Sequence, residues 1–137
     1  MRDLVIVGSG PAGLSAAVYA KRAMMDVVVL EKEAFSGGQI VNTEQVDNYL
    51  GLPGMGMKFR EHADTFGVEF DDREVTAIED HGDHKKVSLE DGSSIETKAV
   101  LIATGAKHRK LGVPGEEEFT GAGVSYCATC DGAFFKN

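Results

Sequence analysis

Two cysteines separated by two residues, Cys127 and Cys130, carry the most distinctive chemistry in this sequence, and they are its only cysteines. A Cys-x-x-Cys dithiol can pass two electrons to another disulfide through a mixed-disulfide intermediate, and the close spacing can lower the pKa of one thiol. A closed zinc site would need four ligands, and the histidines have no paired spacing that complements the cysteines. Redox chemistry is therefore our first interpretation, and two unreactive core cysteines are the alternative.

A glycine-rich segment near the N-terminus, residues 8–13 (GSGPAG), fits the pattern G-x-G-x-x-G. The first glycine of such a pattern permits a tight turn, the second lets the backbone approach a pyrophosphate, and the third lets helix and strand pack closely. Glu31 ends the next apolar run, where its carboxylate can accept hydrogen bonds from a ribose diol. The pattern predicts a dinucleotide site without separating FAD from NAD, and glycines chosen only for packing are the alternative.

The elements that position these residues follow from the spacing of apolar side chains. Residues 4–7 and 27–30 are continuous apolar runs, which are typical of strands buried on both faces. Between them, helical spacing places four apolar side chains on one side: Ala12, Leu14, Ala17 and Val18. A strand, a glycine turn, a helix and a second strand predict a βαβ unit with a right-handed crossover.

The following residues predict one more helix and several strands. The helix is expected over about residues 55–66, with Met55, Phe59, Ala63 and Phe66 on one face and His62 as a packed or edge residue. Asp91-Gly92 is a strong two-residue hairpin signal. Short runs at five places predict strands: 68–70, 74–78, 86–90, 93–97 and 99–103. The fold class is therefore α/β, a Rossmann-like βαβ unit with a parallel sheet and a small antiparallel β-meander covering one side.

The composition limits the classes of partner. The net charge of −8 argues against nucleic acid or an anionic membrane surface, and the apolar runs are too short to span a bilayer. The one basic cluster, residues 107–110, is expected to be a solvated loop. Because the N-terminus lacks the pattern of a secretory signal peptide, a cytoplasmic protein is expected.

Six segments then occur in an order that is typical of one family: VIVGSGPAG, GGQI, VDNYLGLPG, LIATGA, GVPGE and GVSYCATCDGAFF. On these segments the sequence resembles the low-molecular-weight thioredoxin reductases over its whole length, with CATCDG as the most specific signature. The flavoprotein subunit of alkyl hydroperoxide reductase shares the same motifs, and its partner is a peroxiredoxin rather than thioredoxin. The antiparallel strands match the β-meander of this family's FAD domain.

The resemblance implies that the nucleotide is FAD, and it assigns contacts residue by residue. The pyrophosphate would be held by Gly8, Gly10, Pro11, Ala12 and Gly13, and the ribose by Glu31. Gly38 and Gln39 would line the pyrophosphate and flavin side, and Asn48 would lie near the isoalloxazine. Val75 would meet the adenine through its backbone, and Ala103, Thr104 and Gly105 would close over the cofactor. No metal ligand is implied.

The resemblance also implies roles for the cysteine segment. Cys130 would lie against the flavin, and Asp131 would donate or accept the proton, although an aspartate before Gly132 is also typical of a turn. Electrons would pass from NADPH to FAD, to the Cys127–Cys130 pair and to a thioredoxin-like disulfide. Which cysteine attacks the partner disulfide stays open.

Complete reductases of this family continue into a nicotinamide-binding domain, and no second G-x-G-x-x-G occurs in this sequence. We therefore expect residues 1–113 to be the first part of an FAD-binding domain and residues 114–137 to be a linker and the Cys-x-x-Cys segment. Such a chain is expected to self-associate and to lack turnover alone, whereas the full-length protein would be a homodimer. The alternatives are a nucleotide-binding redox module completed by a partner chain and an alkyl hydroperoxide reductase-type flavoprotein.

Overall fold

A computed structural model describes residues 1–42, 58–128 and 132–135. The chain divides into two compact units, Met1–Gly105 and Ala106–Asn137. In the described ranges no helix has both the length and the apolar character needed to cross a bilayer.

The first unit contains the regular secondary structure in an α/β order. In chain order its elements are β1 (Arg2–Val7), α1 (Pro11–Arg22), β2 (Val27–Leu30), α2 (Lys58–Thr65), β3 (Glu69–Asp71), β4 (Val75–Asp80), β5 (Lys85–Leu89) and β6 (Ser94–Ile102). A short 3₁₀ helix, Gly38–Asn42, follows the glycines after β2, and the second unit contains another, Gly132–Phe135.

Six strands form one hydrogen-bonded sheet in the order β3-β2-β1-β6-β5-β4. The strands β3, β2, β1 and β6 are parallel, whereas β5 and β4 continue the sheet in antiparallel fashion. The predicted βαβ unit is therefore confirmed, with α1 as its crossover. The carboxyl ends of the parallel strands form the edge at which α/β folds bind ligands.

The strand β2 is buried on both faces, as its unbroken apolar run predicts. All four of its side chains have at most 2% of their surface exposed. Val27 and Val29 pack with residues of α1 and α2, whereas Val28 and Leu30 join a second core cluster on the opposite face. A strand that separates two apolar layers can have no polar face, which explains the absence of alternation.

The antiparallel meander covers one side of the parallel sheet, as predicted. Val87 and Leu89 of β5 belong to the same core cluster as Val5, Val28 and Leu30 of β1 and β2. The hydrogen-bonded sheet therefore curls so that β5 lies over a face of strands that are not its neighbours. The Asp91-Gly92 turn is also confirmed, since Gly92 has a φ of 82° and donates its N–H to the Leu89 carbonyl.

The prediction of separate strands at 93–97 and 99–103 is wrong, because Ser94–Ile102 is one strand. Its first half pairs with β5 and its second half with β1, and Thr97 has partners in both. Thr97 is fully buried, and its hydroxyl donates to the Ala99 carbonyl. Lys98 lies between the two predicted strands, and the strand continues through it because this side chain is exposed and pairs with Asp3.

The helices agree with their predicted faces in most positions. Leu14 and Ala17 are buried in the core, and Val18 packs against it, but Ala12 is exposed and does not share their face. In α2, Ala63 is buried and Phe59 packs on the same cluster. His62 is exposed with its ring edge against Phe66, as expected for an edge histidine, and Met55 lies outside the described residues.

Shortening a leucine side chain in the meander tests whether the meander is part of the hydrophobic core. Leu89→Ala should lower the free energy of unfolding by about 2–5 kcal/mol, because Leu89 is only 2% exposed and a cavity would remain. The matched control is Leu101→Ala, at a position where 37% of the residue is exposed, and its loss should be smaller. Urea unfolding measures both, and equal losses would contradict the packing described.

Candidate functional site

The first glycine of the turn is required by the backbone that faces it. Gly8 has a φ of +105°, and a Cβ there would lie 2.4 Å from the Ala103 carbonyl oxygen. The Gly8 N–H donates to the Leu30 carbonyl at 2.8 Å, and the Ala103 N–H donates to the Val7 carbonyl at 2.8 Å. The carboxyl ends of β1, β2 and β6 therefore meet at Gly8 with no space for a side chain.

The third glycine allows α1 to begin directly behind β1. A Cβ at Gly13 would lie 2.0 Å from the Gly8 carbonyl oxygen, far inside any real contact. Helix α1 starts at Pro11, whose missing N–H costs nothing at the first helical position. The turn and the helix N-terminus are consequently in direct backbone contact.

The second glycine is not required by the fold. Gly10 is the N-cap of α1 with extended backbone, and its nearest contact for an added Cβ is the Gly38 Cα at 3.9 Å. Gly10 provides no side-chain cap, so the amides of the first helical turn lack a side-chain acceptor at that position. Gly38 has a φ of +64°, and a Cβ there would approach the Gly10 Cα to 3.1 Å. The two glycines form a backbone-lined cradle that can accept an anion.

Glu31 is fixed at the end of β2 by three hydrogen bonds. Its Oε2 accepts the Ser9 N–H at 2.9 Å and the Ser9 hydroxyl at 2.7 Å, and its Oε1 accepts the Glu33 N–H at 3.0 Å. Ser9 is fully buried, and its Oγ also accepts the Gly37 N–H at 3.3 Å. A carboxylate held beside the glycine turn is the acceptor that a ribose diol needs.

Ser9 is therefore a site residue that the sequence reasoning missed. It connects the glycine turn, Glu31 and the loop that leads to Gly38. The available signal was its position between the two glycines of the G-x-G pattern, where the backbone is closest to the acid after β2. Because the G-x-G-x-x-G pattern allows any residue at that position, the Ser9 hydroxyl was not considered.

A cleft of about 600 Å³ opens beside Glu31, beyond the ends of β2 and β3. Arg60 of α2 organises one wall: its Nη1 donates to Ser36 Oγ at 2.6 Å, its Nε donates to Asp64, and its guanidinium lies 3.3 Å from the Phe70 ring centre. The charged and polar groups in the wall suit a polar ligand portion. The lining residues are Glu31, Lys32, Glu33, Ala34, Ser36, Arg60, Phe70, Asp71 and Asp72.

The remaining predicted cofactor contacts have different settings. Gln39 is exposed in the 3₁₀ helix after β2, and Val75 begins β4 and packs on the core cluster that contains Leu30. Thr104 and Gly105 are exposed directly after Ala103. Asn48 lies outside the described residues. The structure thus brings Gly8, Gly10, Gly13, Gly38 and Ala103 to one edge of the sheet, with Glu31 beside them.

The second unit carries the cysteine segment. Cys127 is disulfide-bonded, and its backbone N–H donates to Ser125 Oγ at 3.1 Å. Cys130 and Asp131 lie outside the described residues, so their predicted roles are not tested by this structure. The basic residues 107–110 are exposed, in agreement with a solvated loop.

Glu116 is the second residue that sequence reasoning missed. Only 4% of it is exposed, and its carboxylate accepts the N–H groups of Leu111 at 2.8 Å and Gly112 at 2.6 Å. Tyr126 donates its hydroxyl proton to the same carboxylate. The tyrosine bond, followed by the backbone donors, lowers the pKa of Glu116 to about 2, and Glu116 raises the pKa of Tyr126. Glu116 was not recognised from the sequence because it lies in the acidic run 116–118, and neighbouring glutamates are usually solvated.

Alanine at two glycines should separate packing from binding. Gly13→Ala should destabilise the chain by about 1–3 kcal/mol or more, since backbone must shift to relieve the overlap with Gly8. Gly10→Ala should change the free energy of unfolding by less than about 1 kcal/mol, because ordinary space surrounds that Cβ. Chemical denaturation of both variants measures the difference, and a Gly13→Ala variant as stable as Gly10→Ala would refute the close approach.

Acid should weaken the second unit through Glu116. Its pKa is depressed from 4.5 to about 2, so its contribution is complete above the ordinary value and is lost as pH falls toward the depressed one. The stability difference between the wild type and Glu116→Gln should therefore be largest near pH 6 and should shrink between about pH 5 and 2. Unfolding followed by tyrosine near-ultraviolet dichroism gives the difference at each pH.

Glu118→Gln is the matched control, since Glu118 is an exposed neighbour in the same acidic run. Its difference from the wild type should stay small and flat with pH. A pH-independent difference for Glu116→Gln would mean that the ionised carboxylate is not what holds the loop.

Comparison with known proteins places these features in a family. The sequence model described as pyridine nucleotide-disulphide oxidoreductase matches residues 2–137. A thioredoxin reductase of Listeria monocytogenes is 45% identical over 140 residues, covering 98% of this chain and 43% of the relative. A thioredoxin reductase of Bacillus subtilis is also 45% identical, over 139 residues, with the same coverage.

Solved structures agree with the sequence comparison. Lactococcus lactis thioredoxin reductase in its FR conformation is 51% identical, with a TM-score of 0.83 over 100% of this chain and 46% of that one. T. acidophilum thioredoxin reductase is 40% identical with a TM-score of 0.78, covering 98% of this chain and 45% of that one. This chain spans less than half the length of the relatives that it matches. With its glycine turn, mixed sheet and disulfide-bonded Cys127, the chain belongs to the pyridine nucleotide-disulphide oxidoreductase family, as a relative of the thioredoxin reductases.

Proposed function

We propose that this chain supplies the FAD-binding segment and the redox-active dithiol of an NADPH-dependent thioredoxin-disulfide reductase. The observation that carries the proposal is the glycine turn at Gly8–Gly13. Two of its glycines are needed for packing, and the third, Gly10, leaves space at the start of α1. A glycine with no packing reason at a helix N-terminus is the position where a pyrophosphate needs close access to the backbone.

The cofactor contacts follow from the edge of the sheet that carries the cradle. The pyrophosphate would bind at the start of α1, and Glu31 would accept hydrogen bonds from the ribose hydroxyls while Ser9 holds its carboxylate. The cleft beside Glu31 is open on the side where the adenosine portion would extend. The proposed set of contacts is Gly8, Gly10, Pro11, Ala12, Gly13, Glu31, Gly38, Gln39, Asn48, Val75, Ala103, Thr104 and Gly105.

FAD, when bound, supplies two-electron chemistry between a nicotinamide and a disulfide. The chain itself would orient the cofactor through the rigid edge of the sheet, where Gly8, Gly13 and Ala103 are in backbone contact. The same close contact leaves little room for water behind the cofactor. Backbone amides at the cradle offset the charge of the phosphates without a basic side chain. This suits a chain with a net charge of −8.

The dithiol would be formed by Cys127 and Cys130. Reduction of their disulfide takes up two electrons and two protons, and Asp131 is the proposed proton donor or acceptor beside it. One thiolate then attacks the disulfide of a thioredoxin-like protein, and the other resolves the mixed disulfide, which returns the pair to its oxidised form. The disulfide bond at Cys127 supports this reading over that of unreactive core cysteines.

The location, oligomeric state and domain organisation of the whole protein are part of the same proposal. We propose a cytoplasmic homodimer, with residues 1–113 in the FAD-binding domain and residues 114–137 leading toward a nicotinamide-binding domain. NADPH-dependent turnover would require residues outside this chain, because no second G-x-G-x-x-G occurs in it. This chain alone is expected to self-associate.

The cofactor part of the proposal is tested on the full-length protein. Its visible absorption is measured after FAD has been added and the excess removed. The wild type should retain a flavin spectrum. Gly10→Ala should weaken FAD binding about tenfold or more, about 1.4 kcal/mol, because its Cβ would occupy the space of the pyrophosphate while the fold stays intact. Ser15→Ala, on the exposed face of the same helix, should bind FAD like the wild type. A wild type that stays colourless, or equal affinities for the two variants, would contradict the proposal.

The reductase part is tested on the full-length protein, by oxidation of NADPH in the presence of oxidised thioredoxin. Cys127→Ser and Cys130→Ser should each reduce turnover to background while they retain the flavin spectrum, since a serine hydroxyl cannot exchange with a disulfide. Replacing thioredoxin with an oxidised peroxiredoxin separates the two partner classes. Reduction of the peroxiredoxin alone would favour the alkyl hydroperoxide reductase-type reading, and turnover by both serine variants would exclude a role for the pair.

A further inference from the structure

Glu116 joins two parts of the second unit that are distant in sequence. Its buried carboxylate accepts the backbone N–H groups of Leu111 and Gly112 and the hydroxyl of Tyr126. Its own carbonyl accepts the Thr120 hydroxyl at 2.7 Å. A buried carboxylate with several donors is a strong anchor, because hydrogen bonds to an ionised group are stronger than neutral ones.

Tyr126 is held at both its hydroxyl and its ring. The hydroxyl is bound by Glu116, and the ring stacks on His108 with centroids 3.8 Å apart and planes inclined by 16°. Lys110 lies in the same surroundings but pairs with Glu117 at 2.5 Å. The tyrosine therefore has its orientation set by residues 108 and 116, which belong to different turns of the loop.

Tyr126 directly precedes Cys127, so the backbone position of Tyr126 restricts that of Cys127. Consecutive Cα atoms are about 3.8 Å apart across a planar peptide. The Cys127 N–H also donates to Ser125 Oγ, which gives the segment a second local restraint. The disulfide-bonded cysteine thus directly follows a tyrosine that is held at both its hydroxyl and its ring.

We propose that Glu116 and Tyr126 are positioning residues for Cys127, which hold its backbone as it stands in the disulfide-bonded form and so favour the disulfide over the dithiol. The inference rests on the proposed function in one respect: the Cys127–Cys130 pair must cycle between the two forms. Restraining one thiol raises its effective concentration toward the other, and a higher effective concentration stabilises the disulfide. Neither residue touches a reacting atom, so both act through the backbone of Cys127.

The matching experiment measures the dithiol–disulfide equilibrium of the 137-residue chain in glutathione buffers at pH 7. The protein dithiol and glutathione disulfide give the protein disulfide and two molecules of glutathione thiol, so two electrons and two protons pass to glutathione. Samples are quenched with acid, free thiols are alkylated, and the two forms are counted by mass spectrometry.

Tyr126→Phe removes only the hydroxyl, and Glu116→Gln removes the charge at nearly the same size. Each should lower the equilibrium constant for disulfide formation about threefold to tenfold, where tenfold corresponds to about 30 mV. The double variant should fall no further than the larger single change, because both substitutions weaken the same contact between residues 116 and 126. Tyr19→Phe, at an exposed tyrosine of α1, and Glu118→Gln are the matched controls and should leave the constant unchanged.

A Tyr126→Phe constant within about twofold of the wild type would overturn the inference. Tyrosine near-ultraviolet dichroism reports whether each variant keeps its fold, and if Glu116→Gln loses it, Tyr126→Phe alone decides. Additive effects in the double variant would also overturn it, since they would place the two residues in independent roles. A general structural role would lower stability without moving the equilibrium constant between folded forms.

The same data separate this inference from the proposed function. A wild-type chain whose disulfide is never reduced or re-formed in glutathione buffers would contradict the proposed redox pair itself. A wild type that equilibrates normally, together with unchanged variants, would leave the redox pair in place and reject only the positioning by Glu116 and Tyr126.

Discussion

The carbonyl oxygens of Gly8 and Ala103 occupy the space where side chains at Gly13 and Gly8 would otherwise begin. This contact between backbones brings the ends of β1 and β6 and the start of α1 within van der Waals distance. No larger residue fits without displacing backbone, so the spacing of the glycines is a packing requirement before it is a binding motif. Gly10 is the exception, because a Cβ there would meet nothing closer than the Gly38 Cα at 3.9 Å.

The sheet that carries this turn has an apolar layer on each face, and β6 contributes Ile95 and Val100 to one of them. Its first half extends the antiparallel meander and its second half pairs in parallel with β1, so one strand joins two kinds of sheet. The helices cover one face through Val27 and Val29, and the meander covers the other through Val28 and Leu30. Burial on both sides keeps the strand ends rigid, which is what the cradle and Glu31 need in order to hold their geometry.

The second unit is organised in a different way. Its described residues have little regular secondary structure and few buried apolar side chains, and its turns converge on the buried carboxylate of Glu116. Hydrogen bonds from Leu111, Gly112 and Tyr126 provide the order that a hydrophobic core provides elsewhere. Such an arrangement places a well-held tyrosine directly before the disulfide-bonded Cys127.

The sequence by itself determined the βαβ unit, the hairpin turn and most positions on the helix faces, and it predicted chemistry for GSGPAG and the cysteine pair. These follow from local periodicity and from residue types with few conformational alternatives, such as glycine at positive φ. Tertiary structure alone decided that β6 is continuous through Lys98, that Ser9 holds Glu31, and that Glu116 is buried. Those features depend on which segments meet in space, because a charged or polar residue looks solvated in sequence until its partners, distant along the chain, are brought to it.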